Sequence, residues 1–249
     1  MLRRMRWAAL LLMPLALIAS PVNVAAAEPT TYAYFGDGYV VTTVVHPDGR
    51  REITIGDLVA GAKTPTPPAG VIIAEPGDCD IEGAWADEHR CGTNRFRWLG
   101  WHPTIFVVDY SGANWPVYEA AVVWNQSTVL NVGYRGPYWS GCYDGHYCLS
   151  VYSDDYEKKC GVAEPNTWVG CTHMVTNGDI YYDWGTIELD DSNSASYHLN
   201  QGTACHEIGH GLGLDHNLFT SSCVYYQRLP DRSIYPANGD FLMLESIYY

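Results

Sequence analysis

Basic residues are scarce in this 249-residue chain: 14 Lys and Arg stand against 28 Asp and Glu. A surface so short of positive charge excludes nucleic acid and anionic membrane as expected partners, since both are held by Lys and Arg. Internal repeats and long low-complexity tracts are also missing, so a repeat architecture is not expected. Beyond the N-terminal segment no apolar run approaches the roughly 20 residues that a membrane span needs.

The N-terminus has the pattern of a secretory signal. Arg3, Arg4 and Arg6 precede an apolar stretch over residues 7–19, and Ala25-Ala26-Ala27 offers a small-residue cleavage site. Residues 1–27 are read as a signal peptide and the protein as secreted. Loss of those three arginines leaves 11 Lys and Arg against 28 acids, a net charge of −17. All eight cysteines follow the signal: Cys79, Cys91, Cys142, Cys148, Cys160, Cys171, Cys205 and Cys223. An even count in an exported chain implies disulfides. Sequential pairing (79–91, 142–148, 160–171, 205–223) is the simplest of the possible connectivities.

Along the chain, residues 39–55 alternate around Pro47-Asp48-Gly49 and predict a β-hairpin. Residues 63–70 form a proline-rich linker. Residues 28–70 are therefore either an extension or pro-segment, or a hairpin packed on the main domain. Residues 71–249 are assigned to one catalytic-type domain with its core at about 100–249. Strands are expected at 104–109, 131–134, 148–152, 172–176, 180–184 and 187–190. Asn114-Trp115-Pro116 opens a helix whose Val117, Ala120, Ala121 and Trp124 recur at helical spacing. Further helices are expected at about 196–214 and 238–247.

The most informative segment runs His206-Glu207-Ile208-Gly209-His210-Gly211-Leu212-Gly213-Leu214-Asp215-His216. On a helix, His206 and His210 lie one turn apart on one face and can chelate a single ion. Glu207 follows the first ligand, where its carboxylate reaches water rather than metal. Gly213 lets the chain leave the helix and bring His216 round as a third ligand. Three protein ligands with a free fourth position define catalytic rather than structural zinc.

This segment matches H-E-x-x-H-x-x-G-x-x-H and resembles the metzincin peptidases, within them the secreted matrixin-type enzymes, over roughly residues 100–249. The resemblance implies an α+β fold with a twisted, five-stranded, mostly parallel sheet, a zinc helix and a C-terminal helix. It implies a secreted zinc endopeptidase that cleaves peptide bonds with metal-activated water and Glu207 as general base. The expected partner is a protein or peptide substrate, bound by a monomer as an extended strand along residues 186–190. The chain departs from the family where a methionine is expected beneath the metal: Val224 stands there, within Ser222-Cys223-Val224-Tyr225-Tyr226. Tyr226 is a candidate for aiding the oxyanion, the alternative being an ordinary packing aromatic. His89-Arg90-Cys91-Gly92 resembles a matrixin cysteine switch, although a Cys79–Cys91 disulfide accounts better for the even cysteine count. Asp179, Asp183, Asp190 and Asp191 are a weak calcium candidate, without a loop signature. A competing reading is a catalytically impaired metzincin fold that serves as a secreted binding protein. A disulfide-rich structural protein without metal is a third.

Overall fold

The computed structural model describes residues 27–35, 38–62, 72–73, 96–144, 147–153, 159, 167–178 and 180–249. Residues 1–26, where most of the expected signal peptide falls, residues 63–70 and Cys91 lie outside them.

Among the described residues nine strands form one mixed sheet. In chain order they are β1 (Thr30–Phe35), β2 (Tyr39–Val45), β3 (Arg51–Leu58), β4 (Ile72–Ile73), β5 (Thr104–Asp109), β6 (Asn131–Arg135), β7 (Tyr147–Ser153), β8 (Trp168–Thr176) and β9 (Tyr182–Leu189). Their order across the sheet is β4-β1-β2-β3-β8-β9-β7-β5-β6. Three helices complete the fold: α1 (Val117–Trp124), α2 (Tyr197–Gly211) and α3 (Asn238–Tyr248). The α+β class holds. Over the residues for which five mostly parallel strands were expected, β5–β9 pair three times parallel and once antiparallel, but the sheet does not stop there, because β1–β4 extend it to a mixed sheet. The hairpin β2–β3 does not stand apart. Strand β3 pairs antiparallel with β8 and extends the sheet through the N-terminal strands.

This pairing overturns a second expectation. Residues 186–190 were to be an exposed edge. Strand β9 instead lies between β7, parallel to it, and β8, antiparallel to it. Its N–H and C=O groups are consumed on both sides, so no peptide can add there. The short strands expected at 180–184 and 187–190 are one element. Gly185, between the two segments, approaches Met174 and Leu149 so closely that no Cβ fits.

Helix α1 buries Val117, Ala120, Ala121 and Trp124, the residues its spacing selects. It packs on α2, which lies against β8 and β9. Ser196 caps α2, its hydroxyl accepting from the Leu199 N–H. At the other end two buried donors satisfy carbonyls that the last turn leaves free: Trp98 Nε1 donates to Gly211 O at 2.8 Å, and the Tyr248 hydroxyl to Leu212 O at 2.9 Å. The glycines of this helix cost helix propensity but allow close packing. A Cβ at Gly209 would meet Trp124 and Val224, and one at Gly211 would run into Leu149. Gly213 has φ +101°, the left-handed turn that ends the helix and sends the chain toward His216.

Candidate metal centre

Helix α2 aims His206 and His210 to one side, and the turn after Gly213 returns His216 to the same point. All three rings are buried. Each ring directs its Nδ1 to an acceptor: His206 to Cys223 O at 2.8 Å, His210 to Leu214 O at 2.8 Å, and His216 to Asp215 Oδ1 at 3.1 Å. In neutral rings each Nδ1 then carries the proton, and each Nε2 presents a lone pair. His206 Nε2 and His210 Nε2 are 2.9 Å apart. Two lone pairs at that distance repel unless a cation lies between them. Outer acceptors that fix the tautomer are the usual support of metal-binding histidines.

A fourth group joins them. Asp57, on β3, places Oδ1 2.8 Å from His216 Nε2, and Oδ2 3.0 Å from His206 Nε2 and 3.6 Å from His210 Nε2. Ligand atoms of Asp57, His206, His210 and His216 all lie within 4.8 Å of one another, and among the described residues they form the one cluster able to hold a metal ion. Tetrahedral zinc with bonds of about 2.0–2.1 Å needs ligand atoms about 3.3 Å apart. The donor set and its spacing fit zinc. Oδ2 makes no hydrogen bond despite its short approach to His206, as expected of lone pairs directed at a shared centre.

Glu207 is buried beside this cluster. Thr172 Oγ1, on β8, donates to Glu207 Oε2 at 2.7 Å and lies 2.9 Å from the Glu207 carbonyl. Oε1 has no hydrogen-bond partner among the described residues. Gly170, also on β8, has room for that carboxyl only because it lacks a Cβ. Burial, then the charge of Asp57, hold Glu207 well above the usual carboxylate range. Burial opposes ionisation of Asp57 as well, but the charges of His206 and His216 prevail and hold it well below its ordinary value. Burial pushes His206 down to about 3. His216 goes up to about 9 against its own burial, because Asp57 and Asp215 face it. Arg232 is buried behind the site, with Nη1 3.2 Å from His206 Nδ1 and 3.4 Å from Tyr225 O, and burial pushes it down to about 10. A fixed positive charge there favours ionised carboxylates in the site.

Val224 is fully buried beneath α2 and would touch a side chain at Gly209, between the two helical ligands. The segment around it is braced from three directions. Cys205 and Cys223 form a disulfide, so the carbonyl that orients His206 is tied to the residue before that ligand. Buried Asp240, on α3, accepts from Ser222 Oγ at 2.6 Å and Asn217 Nδ2 at 2.7 Å. Asn217 N–H donates to Val224 O at 2.7 Å. Cys142–Cys148 is the second bridge between described residues. Cys171 is also disulfide-bonded, to a partner outside the described residues.

The remaining candidates fall elsewhere. Tyr226 is half-buried with its ring 4.6 Å from that of Tyr225, and among the described residues no hydrogen bond joins it to the histidines or Glu207. Asp190 accepts from Ser192 and Asn193 as a turn cap, and Asp191 accepts from Trp115 Nε1 at 2.6 Å. Asp183 is exposed and Asp179 lies outside the described residues. Asp57 faces the three histidines, and Cys91, the candidate cysteine switch, lies outside the described residues.

Asp57 has no local spacing to the other ligands. Its one sequence signal is phase. Ile53, Ile55 and Asp57 share the inward face of an alternating strand, and an acid there is out of place.

A family whose sequence model is described as Met-zincin matches residues 194–240, the zinc helix and the segment after it. No curated protein matches the chain. The match supports a metzincin reading of this segment and leaves the matrixin-type likeness a resemblance.

Proposed function

We propose that the protein is a secreted zinc-dependent endopeptidase. One observation carries the reading: the Nε2 atoms of three buried histidines converge beside a buried glutamate oxygen that has no hydrogen-bond partner among the described residues. His206, His210 and His216 would hold the ion. Bound zinc would supply Lewis acidity, acidifying water and polarising the scissile carbonyl. Glu207 Oε1 accepts the proton of the attacking water and returns it to the leaving amine. Thr172 holds Oε2 and so fixes the direction of Oε1, and the missing Cβ of Gly170 keeps that direction open. Tyr226 is assigned as an aid to the oxyanion, which requires its ring to leave Tyr225. Disulfides among the described residues agree with export to an oxidising compartment. No helix among the described residues is long and apolar enough to cross a membrane.

One observation favours the second reading, a metzincin-fold binding protein without activity: Asp57 makes a fourth protein ligand, and four-ligand zinc is the structural type. Glu207 argues against it, because a binding protein has no use for a buried base. The test is casein hydrolysis by zinc-loaded Asp57→Ala protein, with and without Glu207→Gln. The proposal expects hydrolysis that Glu207→Gln lowers about 10²–10⁴-fold while zinc content stays unchanged. Equal hydrolysis by the two proteins would remove Glu207 from the mechanism. No hydrolysis by either would favour the binding protein.

A further inference from the structure

Two of this chain's 14 Lys and Arg are placed against the zinc helix, Arg232 buried and Arg228 half-buried. They lie close enough for their charges to repel. Among the described residues neither has a carboxylate within ion-pair distance. Arg228 donates from Nη1 to Asn193 O at 2.6 Å and from Nη2 to Asn200 Oδ1 at 2.9 Å. Arg232 uses Nη1 alone, at Tyr225 O and His206 Nδ1, and its Nε and Nη2 make no hydrogen bond among the described residues. An unpaired cation is costly to bury, so a pair of them calls for a reason.

The charges of the metal site do not supply one. Asp57 and Glu207 both act on Arg232, but a dipositive ion on the histidines balances two carboxylates by itself. The guanidinium charges are then left over. The Nε–Nη2 edge of Arg232 is a planar fork that can hold a carboxylate through two parallel hydrogen bonds. Its position brings that edge to the site. Gly202 and His206 lie one turn apart on the same face of α2. Arg232 spans them, with Nη1 at His206 and Nη2 3.6 Å from where a Cβ on Gly202 would stand. Gly202 has no side chain to fill the space beside Nη2. Arg228, held at Asn200 and reaching the surface, marks the way in. In a chain this acidic the pair is a local positive site for a negative group.

We propose that Arg232, with Arg228 at the entrance, selects a carboxylate of the peptide substrate next to the scissile bond, on the His206 side of the metal. The carboxylate belongs to an acidic side chain or to the peptide's own C-terminus. The inference rests on the zinc-peptidase reading and names its substrate class. Arg232 sets specificity and takes no part in the proton transfers, which stay with Glu207.

The test separates recognition from chemistry. Full-length cobalt-substituted Asp57→Ala protein is titrated with succinic and glutaric monohydroxamates and with their carboxamides, followed by visible absorption. At least one carboxylate probe is expected to bind about 10-fold or more tightly than its carboxamide, the scale of a hydrogen bond to a charged group. Arg232→Met is expected to remove that preference by weakening the carboxylate probes more than the carboxamides. Where Arg232→Met loses its cobalt, Arg232→Lys carries the comparison, with charge but no planar fork and a reduced preference. Where Asp57→Ala fails to fold, Asp57→Asn replaces it. Equal binding of both members of each pair, or an equal loss for every probe in the Arg232 variant, would overturn the proposal. A peptide library with free and amidated C-termini, cut by zinc-loaded Asp57→Ala protein, then names the source. Cuts beside Asp or Glu support the side chain, and cuts near the C-terminus that amidation abolishes support the terminal carboxylate. Cuts with neither preference would overturn the proposal and leave the peptidase standing. No cuts, with a carboxylate preference that depends on Arg232, would keep the carboxylate site and reject the peptidase.

Discussion

The position of Glu207, the base of the proposed mechanism, is set by residues that do no chemistry in it. Its carboxyl is aimed by the Thr172 hydroxyl and admitted by Gly170, both on β8 and more than thirty residues upstream. Gly170→Ala puts a methyl group where Oε1 lies. In zinc-loaded Asp57→Ala protein the expected result is unchanged zinc content with kcat lowered about 10²-fold, the scale of a misplaced catalytic group. Near-normal kcat would mean that Oε1 is not the working oxygen. The convergence of His206, His210 and His216 is legible in sequence because their spacing is local: one helix and one glycine turn suffice. Asp57 is not, because it is 159 residues from His216 and only the pairing of β3 with β8 joins them. Val224 reads correctly as the apolar floor. Its bracing by Asp240 was hidden, because Ser222 and Asn217 meet that carboxylate only once α3 has docked.

Among elements, the segment from Cys205 to Cys223 and the β3–β8 pair each carry a prediction. The disulfide closes a short loop around the ligands, so the double change to serine removes about 3 kcal/mol in the chain-entropy model. Lower thermal stability and faster zinc loss to a chelator are expected, and unchanged zinc retention would show that the bridge does not steady the site. The second prediction concerns pH. His173, on β8, hydrogen-bonds with Thr54 of β3, and burial followed by the charge of Lys159 pushes it from 6.5 down to about 4, against the pull of Glu52 at 4.0 Å. Trp184 of β9 packs on its other side. A histidine lowered on folding binds fewer protons in the folded chain, so its contribution is full above about pH 6.5 and is lost as pH falls toward about 4. The melting temperature of wild type should therefore fall more steeply over that interval than that of His173→Gln. Parallel curves would contradict the assignment. The turn Pro47-Asp48-Gly49 makes the hairpin legible, but not its partner, since antiparallel addition to β8 leaves no mark in the spacing of either strand.

At the scale of the molecule, one sheet brings together the helix that carries His206 and His210, the strand whose Thr172 holds Glu207 and the N-terminal strand that carries Asp57. The strands after residue 100 are legible in sequence, except that β9 is read as two pieces and β8 only in its second half. The nine-stranded whole is not, because long-range strand pairing is fixed by tertiary packing rather than by any local pattern. The central claim is that His206, His210 and His216 hold one zinc ion independently of Glu207. The most direct measurement is zinc per chain after dialysis against a weak chelator, for wild type, the three single His→Ala proteins and Glu207→Gln. The account predicts a single zinc ion per chain in wild type and Glu207→Gln, and clear loss in each histidine variant. A wild-type chain without stoichiometric zinc, or His216→Ala protein that keeps its full complement, would contradict it.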